Sequence, residues 1–491
     1  MMKLPENLPM HLMLAMMQSG AWNGASMPWS ASLQPSMHNF FPWLPKPKTP
    51  LEQGAEAMQN LWQNAGDQWQ AASEQWLKNL SPAPEKSQPW ERKSEPASSP
   101  RRRGPLSPPE QASPEIPAFA GMTSGGPGMK EFTAMSETLA QSFADFLNPD
   151  FLTSLSTQAY NQSTGFLQGL QAYLASDYER PEKLYNILWE RGSAQLLDLA
   201  PKRRDAVAVL CIPSLINRST ILDLTPETSF VEHLKAQGMR PLILDWGTPG
   251  DDETDFTTAD YITAYALSAL QTLREEHDGP IALLGYCMGG VFATAMAQLA
   301  PLFVDGLILL ATPWDFASAD TPRILLDPAA QLMLRQWIGA SNPVPPLVMQ
   351  TMFHLIDPWR VQEKYQRYPT LNAAQKQHFL AVEHWVNDGV PLAQATALEC
   401  FVDWPQGNIL SQHQWKIGRR WIEPESIKTP VLAVIPTRDL IVPLGCAMPL
   451  AEQLPRCDII TPDTGHISMI VGSRAKALMW DPVVAWIAGK F

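Results

Sequence analysis

The sequence predicts an α/β fold: a mostly parallel sheet with helices on both faces and a helical insertion capping the strand ends. Three observations carry this. From about Asp205 onward, short apolar runs alternate with helix-spaced segments, the pattern of successive strand–helix units. The run Ile281-Ala282-Leu283-Leu284 leads through Gly285 into Tyr286-Cys287-Met288-Gly289-Gly290 and then a helix, so a thiol stands at the apex of a tight strand-to-helix turn. The alternation stops at Thr312 and resumes at Pro430, and the stretch between is helical in pattern and rich in Met and aromatic residues.

In chain order, residues 1–80 read as an N-terminal extension. Within it Trp62, Trp69 and Trp76 recur every seven residues, with Met58, Ala65 and Ala72 on companion positions, which predicts an amphipathic helix over about 51–80. Such a stripe suits packing on its own domain, a partner helix or a lipid-like surface. The apolar run Leu8–Met17 is short, is broken by His11 and lacks an A-x-A site, so no signal peptide is expected. Residues 81–128 are rich in Pro, Ser and Gly and are expected to be a disordered linker. Within them Ile116–Thr123 resembles the translated product of a bacterial intergenic repeat. Residues 129–200 are expected to be helical, with Leu184–Leu199 leading into the core.

The first part of the core, 201–311, has expected strands at Ala206–Ile212, Pro241–Asp245, Ile281 onward and Val304–Ala311. Helices are expected between them at Pro226–Gln237, Ala259–Glu276 and Val291–Leu299. Residues 312–428 form the expected cap. The second part of the core, 429–491, carries strands at Pro430–Ile435 and Asp458–Thr461 and a closing helix at Arg474–Ala488. Right-handed crossovers then bring the strand C-termini to one edge.

Composition narrows the function. A chain of 491 residues can bury a substantial core, and its net charge of −13 argues against nucleic-acid binding. The run Arg101-Arg102-Arg103 lies in linker surroundings and reads as solvated. The five cysteines (211, 287, 400, 446 and 457) show neither paired nor metal-ligand spacing, which suits a reducing cytoplasm with no disulfide framework and no metal. No run approaches the roughly 18 apolar residues of a transmembrane helix.

A cysteine at such an apex needs a base and a group to orient the base. In this architecture the order is nucleophile, then Asp, then His. Asp439 lies just past the Pro430–Ile435 strand, and His466 just past the next one, after a Gly465 that leaves room for the ring. Alone, Asp439 could be a turn residue and His466 a loop histidine; their order and positions at strand ends join them to Cys287. The oxyanion hole needs two backbone N–H groups, one from Met288 and one from the loop after the first core strand, at Leu215 or Ile216. Tyr286, Asn217, Asp245, Trp246, Trp385 and His384 are candidates to line the pocket, although packing also suits His384. Cys211 falls inside a strand and is expected in the core. A thioester on Cys287 keeps its acyl group activated, so the thiol fits transfer from a thioester to a hydroxyl better than ester hydrolysis. An apolar cap then excludes water.

These residues resemble the polyhydroxyalkanoate synthases, a family with the α/β-hydrolase fold. The likeness runs from about Leu184 to the C-terminus, through Trp189–Pro201, Pro213–Leu234, Leu244–Gly250, Gly285–Gly290, Phe379–Gly389, Arg438–Pro443 and Thr464–Ile467. It implies that Cys287 takes a hydroxyacyl group from 3-hydroxyacyl-CoA and that His466 activates Cys287. Asp439 then assists His466 or activates the 3-hydroxyl of the next unit. It implies coenzyme A thioester as substrate and no cofactor, a polyester granule as product and surface, a cytoplasmic location, and a homodimer or a helical partner subunit. Two departures stand out. Leu440 occupies a position where many of these synthases have His, and Val291 one where many have Thr; both bear on polymerising efficiency and monomer choice. Two alternatives remain at this stage: a thioesterase, esterase or polyester-related hydrolase of the same fold, and a non-catalytic granule-associated binding protein.

Overall fold

The computed structural model describes residues 164–491. The expected Trp-rich helix, the linker and the helical segment before residue 164 lie outside the described residues. Eight strands form one sheet in the order β1-β2-β4-β3-β5-β6-β9-β10. They are β1 (Asn186–Arg191), β2 (Ala194–Asp198), β3 (Ala208–Ile212), β4 (Arg240–Asp245), β5 (Ile281–Tyr286), β6 (Gly306–Leu310), β9 (Val431–Val434) and β10 (Cys457–Ile460). From β4 to β10 neighbouring strands are parallel, while β1 and β2 are antiparallel additions at one edge.

That edge corrects the expected helical region at 129–200. Residues 164–174 are helical (α1), but Leu184–Leu199 supplies a hairpin instead. Gly192 turns the hairpin at φ +53, and a Cβ there would lie 2.0 Å from the Tyr265 hydroxyl. β2 then pairs with β4 through Gln195↔Asp245 to Asp198↔Leu242, and both its faces are covered. A strand buried on both faces lacks alternation, so short apolar runs of this kind are ambiguous between helix and strand.

Elsewhere the elements sit close to their expected places. α2 is shorter than expected, Phe230–Ala236, because Ser229 caps it by accepting from the Glu232 N–H at 3.1 Å. The next helix ends in α3 (Leu267–Glu275) after a π-helical turn at Tyr261–Ala266. β5 runs on through Gly285 to Tyr286 and is buried along its whole length between β3 and β6. α4 (Met288–Leu299) is buried at its first ten residues and is apolar almost all round, as a helix wholly inside a protein must be.

The expected cap contains α5 (Pro328–Gly339), α6 (Pro346–Ile356), α7 (Pro358–Arg367), α8 (Ala373–Asn387) and α9 (Gln394–Leu398). It is not helical throughout, since β7 (Lys416–Ile417) and β8 (Arg420–Trp421) form a small hairpin near its end. The chain closes with α10 (Leu444–Gln453), α11 (His466–Val471) and, after another π-helical turn at Lys476–Trp480, α12 (Asp481–Lys490). Among the described residues, no helix is long and apolar enough to cross a membrane.

Candidate active site

The site is built where β5 meets α4. Cys287 sits between them at φ 56 and ψ −127, a region that costs a side-chain-bearing residue about 1–3 kcal/mol. Its neighbours hold it there. The Cys287 N–H donates to Leu310 O at 2.8 Å, and its carbonyl accepts from the Gly290 N–H at 2.9 Å. The turn closes tightly because Gly285 and Gly289 lack side chains. A Cβ on Gly289 would lie 2.0 Å from Ile212 O, and one on Gly285 would lie 2.4 Å from Gly290 Cα. Both obstacles are backbone and cannot rotate away. Gly289→Ala is therefore expected to destabilise the fold by about 2 kcal/mol or more. A lowered urea midpoint checks this, and an unchanged midpoint would show that β3 yields freely.

His466 opens α11 and Asp439 follows β9, so each stands past a strand end. His466 Nδ1 lies 2.6 Å from Asp439 Oδ2. The other carboxylate oxygen, Oδ1, accepts from the N–H groups of Ile441 (2.8 Å) and Val442 (2.9 Å). Both Asp439 oxygens are thus engaged, and its side chain is fully buried. The Tyr286 hydroxyl donates to His466 O at 3.3 Å, and the two rings lie 5.1 Å apart. Burial alone pushes the His466 imidazole down. The Asp439 carboxylate, hydrogen-bonded to the ring, and the nearby Cys287 outweigh it and hold the imidazole up at about 10. The geometry thus brings Cys287, His466 and Asp439 into one connected set.

Burial pushes Cys211 and Cys446 up to about 12, Cys457 up to about 11 and Cys400 well above the usual thiol range, so all four favour the inert thiol. Cys211 lies inside β3, in the core as expected.

A cavity of about 1180 Å³ opens over Tyr286, Cys287 and His466. Ordinary small-molecule pockets measure about 300–1,000 Å³. Ser214, Ile216 and Asn217 of the loop after β3 form one wall, and Trp385 of α8 faces in from the cap. Met288 is the first residue of α4, where an N–H has no helical carbonyl to serve. The Ile216 N–H points to the Ser214 hydroxyl at 3.2 Å, whereas Leu215 is buried and does not line the cavity.

Three expected lining residues lie elsewhere. The Trp246 Nε1–H donates to Pro213 O at 3.0 Å, and Asp245 Oδ2 accepts from the Ser219 hydroxyl at 3.0 Å. Asp245 and Trp246 therefore brace the ends of the loop instead of lining the cavity, since at the end of β4 their polar atoms meet that loop first. His384 stacks between Tyr173 and Tyr178, with ring centroids 5.1 and 5.2 Å away, which is a packing role. Sequence reasoning missed the polar cap residues that do line the cavity: His354, Lys364, His378 and Glu383. Lys364 Nζ and Glu383 form an ion pair at 2.8 Å, and burial, aided by Lys364, pushes His354 down to about 4. No local motif marks them, because three different helices bring them together.

Residues 207–473 match the α/β-hydrolase fold family. The chain belongs to that family. Among individual proteins, it is similar to the poly(3-hydroxyalkanoate) polymerase subunit PhaC of Haloferax mediterranei, at 31% identity over 62% of this chain and 63% of the relative. It is also similar to the subunits of the same name from Synechocystis, at 26% identity over 57% of this chain and 78% of the relative, and from Haloarcula marismortui, at 26% identity over 61% and 66%. The resemblance read from the motifs is thus shown by sequence relatives, and this α/β-hydrolase-fold chain spans a little under two thirds of the length of the first of them.

Proposed function

We propose that the chain is an acyltransferase that polymerises 3-hydroxyacyl groups from coenzyme A thioesters through a thioester on Cys287. One observation carries the reading: a thiol at the strained apex lines the same large cavity as His466, beneath a cap. In the loading step the Cys287 thiolate attacks the thioester carbonyl. The carbon–sulfur bond to Cys287 forms, that to coenzyme A breaks, and the departing thiolate takes the proton from His466. In the extension step the 3-hydroxyl of a second hydroxyacyl-CoA gives its proton to His466 and attacks the carbonyl held on Cys287. An ester forms and Cys287 leaves as the thiolate beside the protonated His466; the lengthened chain, now a CoA thioester, reloads it with release of coenzyme A.

The resemblance left Asp439 two roles. Because both its oxygens are hydrogen-bonded and its side chain is buried, orienting His466 is the supported one. The oxyanion donor this reading uses is the Met288 N–H at the start of α4, since the Ile216 N–H is engaged by the Ser214 hydroxyl. The same reading puts the enzyme in the cytoplasm at the surface of its polyester product.

The test is incubation with 3-hydroxyacyl-CoA of graded chain length, following both free coenzyme A and product. Polymer with stoichiometric coenzyme A release is expected. Free hydroxy acid without polymer would make the protein a hydrolase, and no release at any chain length would leave a binding protein. Leu440 adds a specific probe. It lines the cavity and is 52% exposed, so Leu440→His meets no packing obstacle. Its turnover is expected to equal or exceed that of the wild type; loss of activity would show Leu440 to be adapted to a different substrate.

A further inference from the structure

The cap helix α7 supplies Arg360, Val361, Glu363, Lys364 and Arg367 to the cavity wall. Its buried apolar residues, Val361 and Tyr365, do not join the main core. They close instead on Phe166 and Leu170 of α1, in a separate cluster with Phe379 of α8 packed against it. α1 and α7 cross at backbone distance. A Cβ on Gly169 would lie 2.2 Å from Tyr365 O, and one on Gly165 would lie 3.2 Å from Gln366 O. The rings of Phe166 and Tyr173 each stand 6.0 Å from that of Tyr365. α1 also meets α8, where the Asn387 amide donates to the Tyr173 hydroxyl at 2.9 Å. The stretch after α1 ties it to the core. Lys183 Nζ lies 2.5 Å from Asp223 Oδ1, and the Tyr185 hydroxyl donates to Asp223 Oδ2 at 2.5 Å. Arg180 donates to Asp223 O at 2.9 Å, and the Asp223 side chain is fully buried.

We propose that α1 is a positioning element of the substrate cavity, holding α7 in place so that the segment ahead of the first strand takes part in substrate binding. It does so at one remove, since no residue of α1 lines the cavity. This rests on the acyl-transfer reading above, which supplies the substrate. The physical basis is that packed side chains fix a helix only where they interlock. Val361 and Tyr365 interlock with α1 and α8, not with the sheet beneath. Tyr365 O sits against the bare Cα of Gly169, so the closeness of the two helices is set by the missing methyl. Pushing α7 away from α1 shifts its five lining side chains together. Cys287, His466 and Asp439 stand on other elements, so the chemistry is left in place. What is lost is binding common to the ground state and the transition state, which raises KM and spares kcat.

Gly169→Ala tests this. Alanine favours a helix over glycine, so α1 itself is not weakened, and the added methyl acts on a backbone oxygen that cannot rotate away. With 3-hydroxybutyryl-CoA, KM is expected to rise about fivefold or more while kcat stays within about twofold. Gly165→Ala, where the contact is looser, is expected to raise KM about twofold or less. Hydrogen exchange on the same full-length proteins is expected to quicken in α7 for Gly169→Ala and to keep its wild-type rate in β5 and α4. An unchanged KM for Gly169→Ala would overturn the proposal, whether or not exchange in α7 quickens. So would a fall in kcat alone, which would place the effect in the chemistry. Faster exchange in β5 and α4 as well would overturn it too, by making α1 a general support of the fold. The underlying acyl-transfer reading fails separately, if Cys287→Ala releases coenzyme A as fast as the wild type.

Discussion

Cys287→Ala is expected to reduce coenzyme A release by about 10⁴-fold or more, since removing a nucleophile leaves only binding and oxyanion stabilisation behind. The variant is expected to fold. Alanine at φ 56 has no larger steric demand than cysteine there, and the hydrogen bonds holding the apex, to Leu310 O and from Gly290 N–H, are made by the backbone. Mass spectrometry after a short incubation with 3-hydroxybutyryl-CoA gives the complementary result: an acyl adduct on the wild type and none on the variant. None of the other four thiols substitutes, because burial keeps each of them protonated. Equal coenzyme A release from both proteins would remove Cys287 from the chemistry.

Asp439→Asn is expected to lower turnover by about 10³-fold or more, judged from the loss seen when an orienting carboxylate is replaced in other nucleophile–histidine sites. The amide keeps nearly the same shape, so the N–H groups of Ile441 and Val442 can still be served through its carbonyl oxygen. What is lost is the charge 2.6 Å from His466 Nδ1 that favours the imidazolium. This also has a signature in stability. The folded chain holds His466 up at about 10, above its usual 6.5. Its imidazolium therefore contributes stability that is whole below 6.5 and is lost as pH rises through about 10. The wild type is expected to lose thermal stability across that range more steeply than Asp439→Asn. Parallel melting curves from pH 6 to 10 (~4 units spanning both values) check this. Equal slopes in the two proteins would show that Asp439 does not govern the His466 proton.

Much of this site was legible in the sequence because its chemistry is tied to local patterns. A strand, a glycine turn and a helix are adjacent in the chain, so Gly285-Tyr286-Cys287-Met288-Gly289 announces its own geometry. Asp439 and His466 each follow an apolar run, and a parallel sheet brings all its strand ends to one edge. The hairpin at Asn186–Asp198 resembles a helix in the sequence for the opposite reason. A strand covered on both faces has no alternation, and its partner β4 lies more than forty residues further along the chain. For Asp245 and Trp246 the sequence indicates the right edge but not the role, since only packing decides whether a side chain turns toward a cavity or toward the next loop.

The sequence by itself determined the fold class, the nucleophile candidate and the order of its two companions, because each rests on residues close together in the chain or on a rule of parallel sheets. Only the tertiary structure decided that Asp439 has no free oxygen for a substrate hydroxyl, that His354, Lys364, His378 and Glu383 share one cavity, and that the far end of α8 grips the loop bearing Ile216. Those are contacts between segments up to about 170 residues apart, as from Asn217 to Val386. They depend on where the cap packs against the sheet, which no local pattern encodes.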